Sequence, residues 1–301
     1  MKKKVISSVL LSVTAIIWGF AFVAQVAGME NVGTFTFNGL RYIIGVVVLL
    51  PLCLILLSRR PKKSILWSSL FFGAIAGVIM FAATTLQQYG IELDSSGNSM
   101  KAGFITGLYT VVVPLFEFVL FKKKTKAVTW IGAGLALIGL YLLCMSDGLR
   151  FTLPDILLFI SVPLWATHIV LVDRISDRIN PFLFSAVQYA FCGFIAMICA
   201  VIFDRGSLNF ASISAAALPI LYAGVLSVGV AYTLQIVGQK HSDPTVAAII
   251  MSCEAVFCAI GNLLLLEVKM SASQYIGCAL MFAGIIISQL CFEKKNKEAE
   301  N

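Results

Sequence analysis

The most constraining feature of the chain is a series of ten apolar stretches, each close to the roughly 20 residues that a helix needs to cross a bilayer. Short polar or charged segments separate the stretches, and none of them alternates in polarity as barrel strands do. The pattern predicts an all-α membrane protein with ten transmembrane helices. The stretches cover residues 5–26, 36–57, 67–89, 102–121, 127–145, 153–172, 182–203, 213–237, 245–266 and 273–292.

The composition agrees with a protein dissolved in lipid. Hydrophobic residues make up 59% of the chain and charged residues 12%, whereas soluble domains have about 45–50% and about 25%. These values exclude disordered and disulfide-rich secreted proteins. The eight cysteines all lie in apolar stretches without a CxxC pair, so we expect buried thiols and no metal or other cofactor.

Basic residues are distributed unequally between the two sets of connecting segments. The net charge is +7, but these residues flank apolar stretches, so we expect no nucleic-acid partner. With the N-terminus inside, 17 of the 22 Lys and Arg are cytoplasmic, four are outside and Arg41 is within a helix. Because cytoplasmic loops are enriched in Lys and Arg, we expect a multi-pass protein of the cell (cytoplasmic) membrane with both termini in the cytoplasm.

An internal repeat is visible in polar positions. The segment TLQQYG at 85–90 shares four of six residues with TLQIVG at 233–238, at an offset of 148. Trp18 and Trp165 are 147 residues apart. Two glycines of the fifth stretch recur in the tenth at an offset of 145: Gly132 and Gly139 match Gly277 and Gly284.

This repeat divides the chain into two five-helix halves, residues 1–147 and 148–301. Because five is odd, the second half must enter the membrane from the opposite side to the first. Such inverted repeats are typical of secondary transporters, whose substrate site lies near the bilayer midplane between the halves.

The order of several motifs resembles the drug/metabolite transporter superfamily with EamA-type repeats. These motifs are Trp18-Gly19, Arg41, the segment KAGFITGLY at 101–109 that leads to Pro114, and EAVF at 254–257 followed by Glu267 and Ile276-Gly277. The resemblance implies ten helices in two EamA-type repeats. It also implies transport of amino acids, other metabolites or drugs, driven by an ion gradient or by the solute's own gradient.

Ten residues are candidates for the solute site because they are polar or aromatic and lie within the stretches. They are Trp18, Arg41, Gln87, Tyr109, Trp165, His168, Gln188, Tyr232, Gln235 and Glu254. Three pairs among them are equivalent in the two halves: Trp18 with Trp165, Arg41 with Gln188, and Gln87 with Gln235.

The two charged candidates each allow two interpretations. Arg41 binds an anionic group such as a carboxylate, or extends to the membrane surface. Glu254, predicted near the midplane, couples transport to a proton or cation, or is a structural carboxyl at a helix seam. Glu117 lies near Lys122–Lys124, and we expect a local ion pair there.

The neutral candidates also allow a structural alternative. The glutamines bind a polar ligand or join helices. The aromatic rings hold an apolar or cationic group, or face lipid. Tyr109 and Tyr232 are weaker candidates of the same kind. His168 contacts solute or senses protons, or is a core histidine hydrogen-bonded to a carbonyl.

We therefore predict a secondary active transporter, an exporter, that moves small organic metabolites such as amino acids or drug-like solutes by alternating access. Its partners are a small-molecule solute and the bilayer, with a coupling proton and the oligomeric state left open. The sequence lacks GxxxxGK[ST], HExxH and GxSxG, so we expect neither an ATP motor nor an enzyme. The alternatives are a non-transporting receptor or scaffold, and a channel.

Overall fold

The computed structural model describes residues 2–94, 99–123, 125–144, 152–265, 267 and 270–299. These residues form helices and no strand, which confirms the predicted all-α class. The helices are α1 (Lys2–Met29), α2 (Thr34–Ser58), α3 (Lys63–Glu92), α4 (Met100–Gly107), α5 (Tyr109–Phe121), α6 (Ala127–Cys144), α7 (Leu153–Ile175), α8 (Pro181–Phe203), α9 (Phe210–Ala215), α10 (Ala217–Leu221), a π-helix (Tyr222–Tyr232), α11 (Thr233–Gln239), α12 (Pro244–Met251), α13 (Glu254–Leu265) and α14 (Ala272–Ala299).

The described helices account for the ten predicted crossings. Eight helical segments are long and apolar enough to span a membrane, and three of these combine consecutive helices: Met100–Phe121, Ala217–Gln239 and Pro244–Leu265. Shorter apolar helices at Ala127–Leu142 and Ala272–Ile287 correspond to the fifth and tenth predicted stretches.

Equivalent helices of the two halves pack against each other in opposite directions. In the second and seventh crossings, α2 and α8, Gly39 faces Met197 and Cys53 Sγ lies 3.6 Å from the Phe182 carbonyl. Sequence numbers therefore rise along one helix as they fall along the other. This antiparallel contact is the geometry of an inverted repeat.

The fifth and tenth crossings, α6 and α14, show the same relation with reciprocal contacts. A Cβ placed on Gly139 would lie 2.6 Å from the Gly277 carbonyl oxygen, and one on Gly284 would lie 2.6 Å from that of Gly132. The sequence comparison pairs these same glycines, so the two contacts exchange under a two-fold rotation. The predicted boundary between the halves, at residues 147 and 148, lies outside the described residues.

Both the fourth and the ninth crossings are broken, which the sequence did not predict. The fourth has eight residues in α4 and 13 in α5, with a break at Leu108. The ninth has eight residues in α12 and 12 in α13, with a break at Ser252 and Cys253. Each break follows the first eight helical residues of its crossing.

The eighth crossing is also irregular, although one continuous stretch was predicted. Its central part, Tyr222–Tyr232, is a π-helix, a form that is frequent at functional sites. The equivalent helix of the first half, α3, is α-helical over its full 30 residues. The two halves therefore differ in conformation at this crossing.

An aspartate from the second half caps a helix of the first. Gly33, which precedes α2, has no side chain to cap the helix, and Asp204 Oδ2 accepts a hydrogen bond of 2.7 Å from the Thr36 amide instead. A Cβ on Gly33 would lie 2.5 Å from the carboxyl carbon of Asp204, so only glycine fits there.

The contact between Gly139 and α14 predicts that a larger side chain destabilises the protein at one glycine of α6 and not at another. Gly139→Val should lower the free energy of unfolding by about 1–3 kcal/mol, because the side chain would overlap α14. Gly134→Val, in the same helix, is the control, since nothing lies within 4 Å of a Cβ at that position. Thermal unfolding of both purified variants measures the difference, and equal midpoints would contradict the contact.

Candidate functional site

A cavity lies inside the bundle. Five of the first six predicted crossings line it, together with the π-helix, α11 and α13. The lining residues are Trp18, Ala21, Phe22, Gln25, Arg41, Gln87, Thr106, Tyr109, Trp165, Ile169, Ser227, Tyr232, Gln235 and Glu254.

Eight of the ten sequence-predicted candidates line this one cavity. They are Trp18, Arg41, Gln87, Tyr109, Trp165, Tyr232, Gln235 and Glu254. They come from both predicted halves, so the cavity lies between the halves as expected for inverted repeats.

Aromatic rings from both halves form one wall of the cavity. The ring centroid of Tyr232 lies 4.6 Å from that of Trp18 and 6.0 Å from that of Trp165, the latter nearly parallel at 17°. Trp18 Nε1 donates to the Ser227 carbonyl at 3.3 Å, whereas the equivalent Trp165 Nε1 is buried without a partner. The wall offers π-faces to an apolar or cationic group.

Arg41 is inside the protein and does not extend to the membrane surface. It is 2% exposed, and its guanidinium carbon lies 5.4 Å from the Phe37 ring centroid and 5.2 Å from that of Tyr42. Its Nε and Nη2 atoms are buried and make no hydrogen bond. These N–H groups can therefore donate hydrogen bonds to an anionic ligand.

Glu254 is the first residue of α13, immediately after the break in the ninth crossing. The helix breaks at Ser252 and Cys253 although no proline stands there. Glu254 is 3% exposed. Its carboxylate lies next to the Tyr109 hydroxyl, but Tyr109 Oη and Glu254 Oε1 make no hydrogen bond of ordinary geometry.

The helix breaks therefore place both Tyr109 and Glu254 at the start of a half-helix. Neither Arg41 nor Glu254 belongs to any ion pair among the described residues. The cavity thus contains one basic and one acidic side chain that form no ion pair within the described part of the protein.

The two equivalent glutamines are only partly satisfied by the protein. Gln87 Nε2 donates to Thr106 Oγ1 at 3.0 Å, and Gln235 Nε2 donates to Gln239 Oε1 at 3.0 Å. Gln239 in turn donates to the Ile169 carbonyl, while Gln235 Oε1 has no partner. These amides join helices, and Gln235 also keeps an acceptor available at the cavity.

Two predicted site residues, His168 and Gln188, do not line the cavity. His168 Nε2 lies 2.9 Å from Gln188 Oε1, and both residues are fully buried. The sequence-based alternative, a core histidine bonded to a carbonyl, is close to this arrangement, although the partner is a side-chain amide. The pair joins α7 to α8.

Sequence reasoning missed three polar residues of the lining: Gln25, Thr106 and Ser227. Gln25 had a detectable signal, because it lies seven residues after Trp18 and hence on the same helix face. Ser227 had none, because only the π-helix determines which way it faces.

A charged cluster lies where α5 and α7 end. The buried Glu117 pairs with Lys123 at 2.8 Å, which confirms the predicted ion pair, and with Arg174 at 2.9 Å. Lys123 also pairs with Asp243 at 3.0 Å. Burial lowers the pKa of Lys123, but hydrogen bonds to Glu117 and Asp243 outweigh it, so that its pKa lies above the ordinary value.

The cysteines show no sign of metal chemistry in the part of the chain that the structure describes. Within that part, no group of three or more His, Cys, Asp or Glu residues could hold a metal ion. The six cysteines with described side chains are free thiols, at positions 53, 192, 199, 253, 258 and 278.

The model of the EamA-like transporter family matches the chain twice, over residues 5–145 and 152–290. The chain belongs to the EamA-like transporter family. It is therefore a multi-pass membrane transporter, and its partners are a small solute and the lipid bilayer.

Two relatives of this EamA-like transporter are also named as transporters. An uncharacterized transporter of Archaeoglobus fulgidus is 26% identical over 288 residues, covering 96% of this chain and 87% of the relative. The uncharacterized transporter YetK of Bacillus subtilis is 24% identical over 309 residues, covering 99% and 91%. A crystal structure has the same fold, with a TM-score of 0.75, 19% identity and coverage of 96% and 98%.

The position of His168 predicts a structural effect without a binding effect. His168→Ala leaves the buried Gln188 amide unpaired, so the free energy of unfolding should fall by about 1–3 kcal/mol. Thr167→Ala, which removes a bond to the Pro163 carbonyl on the same helix, should change it by less than about 0.5 kcal/mol. Thermal unfolding measures both, and loss of solute binding in His168→Ala at unchanged stability would instead place His168 in the site.

Proposed function

We propose that this EamA-like transporter is a secondary active exporter of small zwitterionic metabolites, such as amino acids, and that it works by alternating access. The observation that carries the proposal is the presence of Arg41 and Glu254, both unpaired, in one aromatic-walled cavity. Drug-like solutes with the same two charges are the second group of cargo that this cavity would accept.

Each part of an amino acid has a complementary group in the lining. Arg41 would bind the carboxylate through charge-assisted hydrogen bonds, and Glu254 would bind the ammonium group. The faces of Trp18, Trp165 and Tyr232 would hold the side chain. Because the protein excludes water from these groups, each charge interaction would be stronger than at a surface.

The architecture supports alternating access. Equivalent helices run antiparallel across a pseudo-two-fold axis, and the cavity lies between residues of the two halves, which is the arrangement of many secondary transporters. In this view residues 1–147 and 148–301 move against each other about the cavity.

Glu254 is also our candidate for a coupling site. It is the one acidic residue among the lining residues, so a proton that competes with a solute ammonium group would bind there. Protonation would then release the solute, which would link outward solute movement to inward proton movement.

The charge distribution supports both termini in the cytoplasm, because 17 of the 22 basic residues then lie inside. Three of the counted basic residues lie outside the described residues. They are Lys124, on the cytoplasmic side, and Arg150 and Lys269, on the outer side. In this orientation, the Glu117 charged cluster is on the cytoplasmic side.

Flux through proteoliposomes tests the transport proposal. Glu254→Gln and Arg41→Gln should each reduce gradient-driven uptake of protein amino acids at least about tenfold, since tenfold corresponds to about 1.4 kcal/mol of binding energy. Glu30→Gln and Arg59→Gln remove the same charges from exposed positions and should leave uptake unchanged. Solute binding without any flux in the unmodified protein would instead favour a receptor or scaffold.

Reporter tags test the orientation separately. Tags at the N- and C-termini should both be accessible only after the cytoplasmic side of the membrane is opened, as the charge distribution requires. Tags on opposite sides would contradict both the orientation and the odd number of crossings per half.

A further inference from the structure

A row of polar residues extends from the cavity along α2 and α3. On α2 the row contains Thr34, Asn38 and Arg41, and on α3 it contains Thr84, Gln88 and Glu92. Spacings of three and four residues place each set on one face of its helix. We call these six residues the polar seam.

Two hydrogen bonds fix how the faces of the seam meet. Thr34 Oγ1 donates to Glu92 Oε2 at 2.5 Å, and Asn38 Nδ2 donates to the Thr84 carbonyl at 3.4 Å. Gln88 lies one turn from Thr84 and one turn from Glu92, so these bonds bracket it. Gln88 therefore lies along α3 between the two points where α3 is hydrogen-bonded to α2.

The amide groups of the seam are buried and unsatisfied. Gln88 is 0% exposed, and neither its Oε1 nor its Nε2 has a hydrogen-bond partner. Asn38 is also 0% exposed, and its Oδ1 has no hydrogen-bond partner. The Nε and Nη2 atoms of Arg41 likewise have no partner. If the seam served only to join helices, these groups would bond to one another, because buried polar groups that lack partners destabilise a protein.

The seam has one end at the cavity and the other at the end of the bundle. Arg41 belongs to the cavity lining, and Gln87, the neighbour of Gln88, also lines the cavity. At the opposite end Glu92 is exposed. The seam thus connects the cavity with the surface where α2 begins and α3 ends.

We propose that the polar seam is the route by which the solute's polar groups pass between the cavity and this end of the bundle. The proposal rests on the transport function above. Asn38 and Gln88 exchange hydrogen bonds with a passing carboxylate, ammonium group or water molecule when α2 and α3 separate. Arg41, at the inner end, belongs to both the cavity and the route.

A native cysteine reports whether the seam opens to water. Cys192 of α8 is 0% exposed, and its Sγ lies 3.9 Å from Thr84 Oγ1 at the seam. Cys53 is a matched control, because it is also buried between α2 and α8, but near Phe182 at the other end of α8. Both thiols are present in the unmodified protein.

The experiment treats unmodified protein in liposomes with a charged, membrane-impermeant methanethiosulfonate and quantifies each modified cysteine by peptide mass spectrometry. We expect Cys192 to react at least tenfold faster than Cys53. Equal rates would overturn the proposal. This result does not depend on which solute is carried, so it fails or succeeds separately from the proposed cargo.

Two neighbouring glutamines provide the second measurement. Gln88→Met should slow modification of Cys192 at least fivefold and reduce the maximal rate of amino-acid uptake, because an apolar side chain would exclude water from the seam. Gln87→Met should leave Cys192 modification unchanged and raise the solute concentration needed for half-maximal uptake. If Gln88→Met keeps the original rate of Cys192 modification, the seam has only a structural role.

Discussion

Unpaired charge in a low-dielectric interior is the constraint on which the rest of this structure depends. A charged side chain at the centre of a bilayer-spanning helix costs at least about 2.5–3.5 kcal/mol, and this protein holds Arg41 and Glu254 there without a salt bridge. By contrast, Glu117, which is fully buried, is bound by two cations. The protein therefore satisfies its buried charge at one end of the bundle and leaves it available at the centre, where a solute can complete the pairing.

Close packing elsewhere compensates for that cost. At the two interfaces between equivalent helices, glycines bring backbones together, as Gly139 and Gly284 do against α14 and α6. Between lipid-embedded helices such contacts supply much of the association energy, because the hydrophobic effect contributes little there. The α6–α14 interface contributes no residue to the cavity lining, whereas α2 carries both a contact with α8 and Arg41 of the lining.

The sequence predicts the fold well because each crossing has a strong apolar signal, and it predicts much of the lining because polar residues are rare in such segments. Eight of ten candidates line the cavity for that reason. His168 and Gln188 carry the same signal but are joined by a hydrogen bond between His168 Nε2 and Gln188 Oε1, and composition cannot distinguish a polar pair from a polar site. The breaks at Leu108 and Ser252 and the π-helix were not predicted, since no proline or glycine adjoins Ser252, and Gly107 beside Leu108 is a residue type common within transmembrane helices. Gln25 was missed although its spacing from Trp18 placed it on the lining face.

Equivalent residues of the two halves differ in their hydrogen bonds and in the conformation of the helices around them. Trp18 donates its indole N–H to the Ser227 carbonyl of the π-helix. Its equivalent, Trp165, lies on α7, which packs against the uninterrupted α3, and its N–H is unpaired. Two sequences that are related by symmetry thus adopt two conformations in one molecule. A protein with exact symmetry would open equally to both sides or to neither. The asymmetry at the third and eighth crossings therefore agrees with the proposed alternating-access mechanism, and it lies beside the aromatic wall of the cavity, which Tyr232 of the π-helix helps to form.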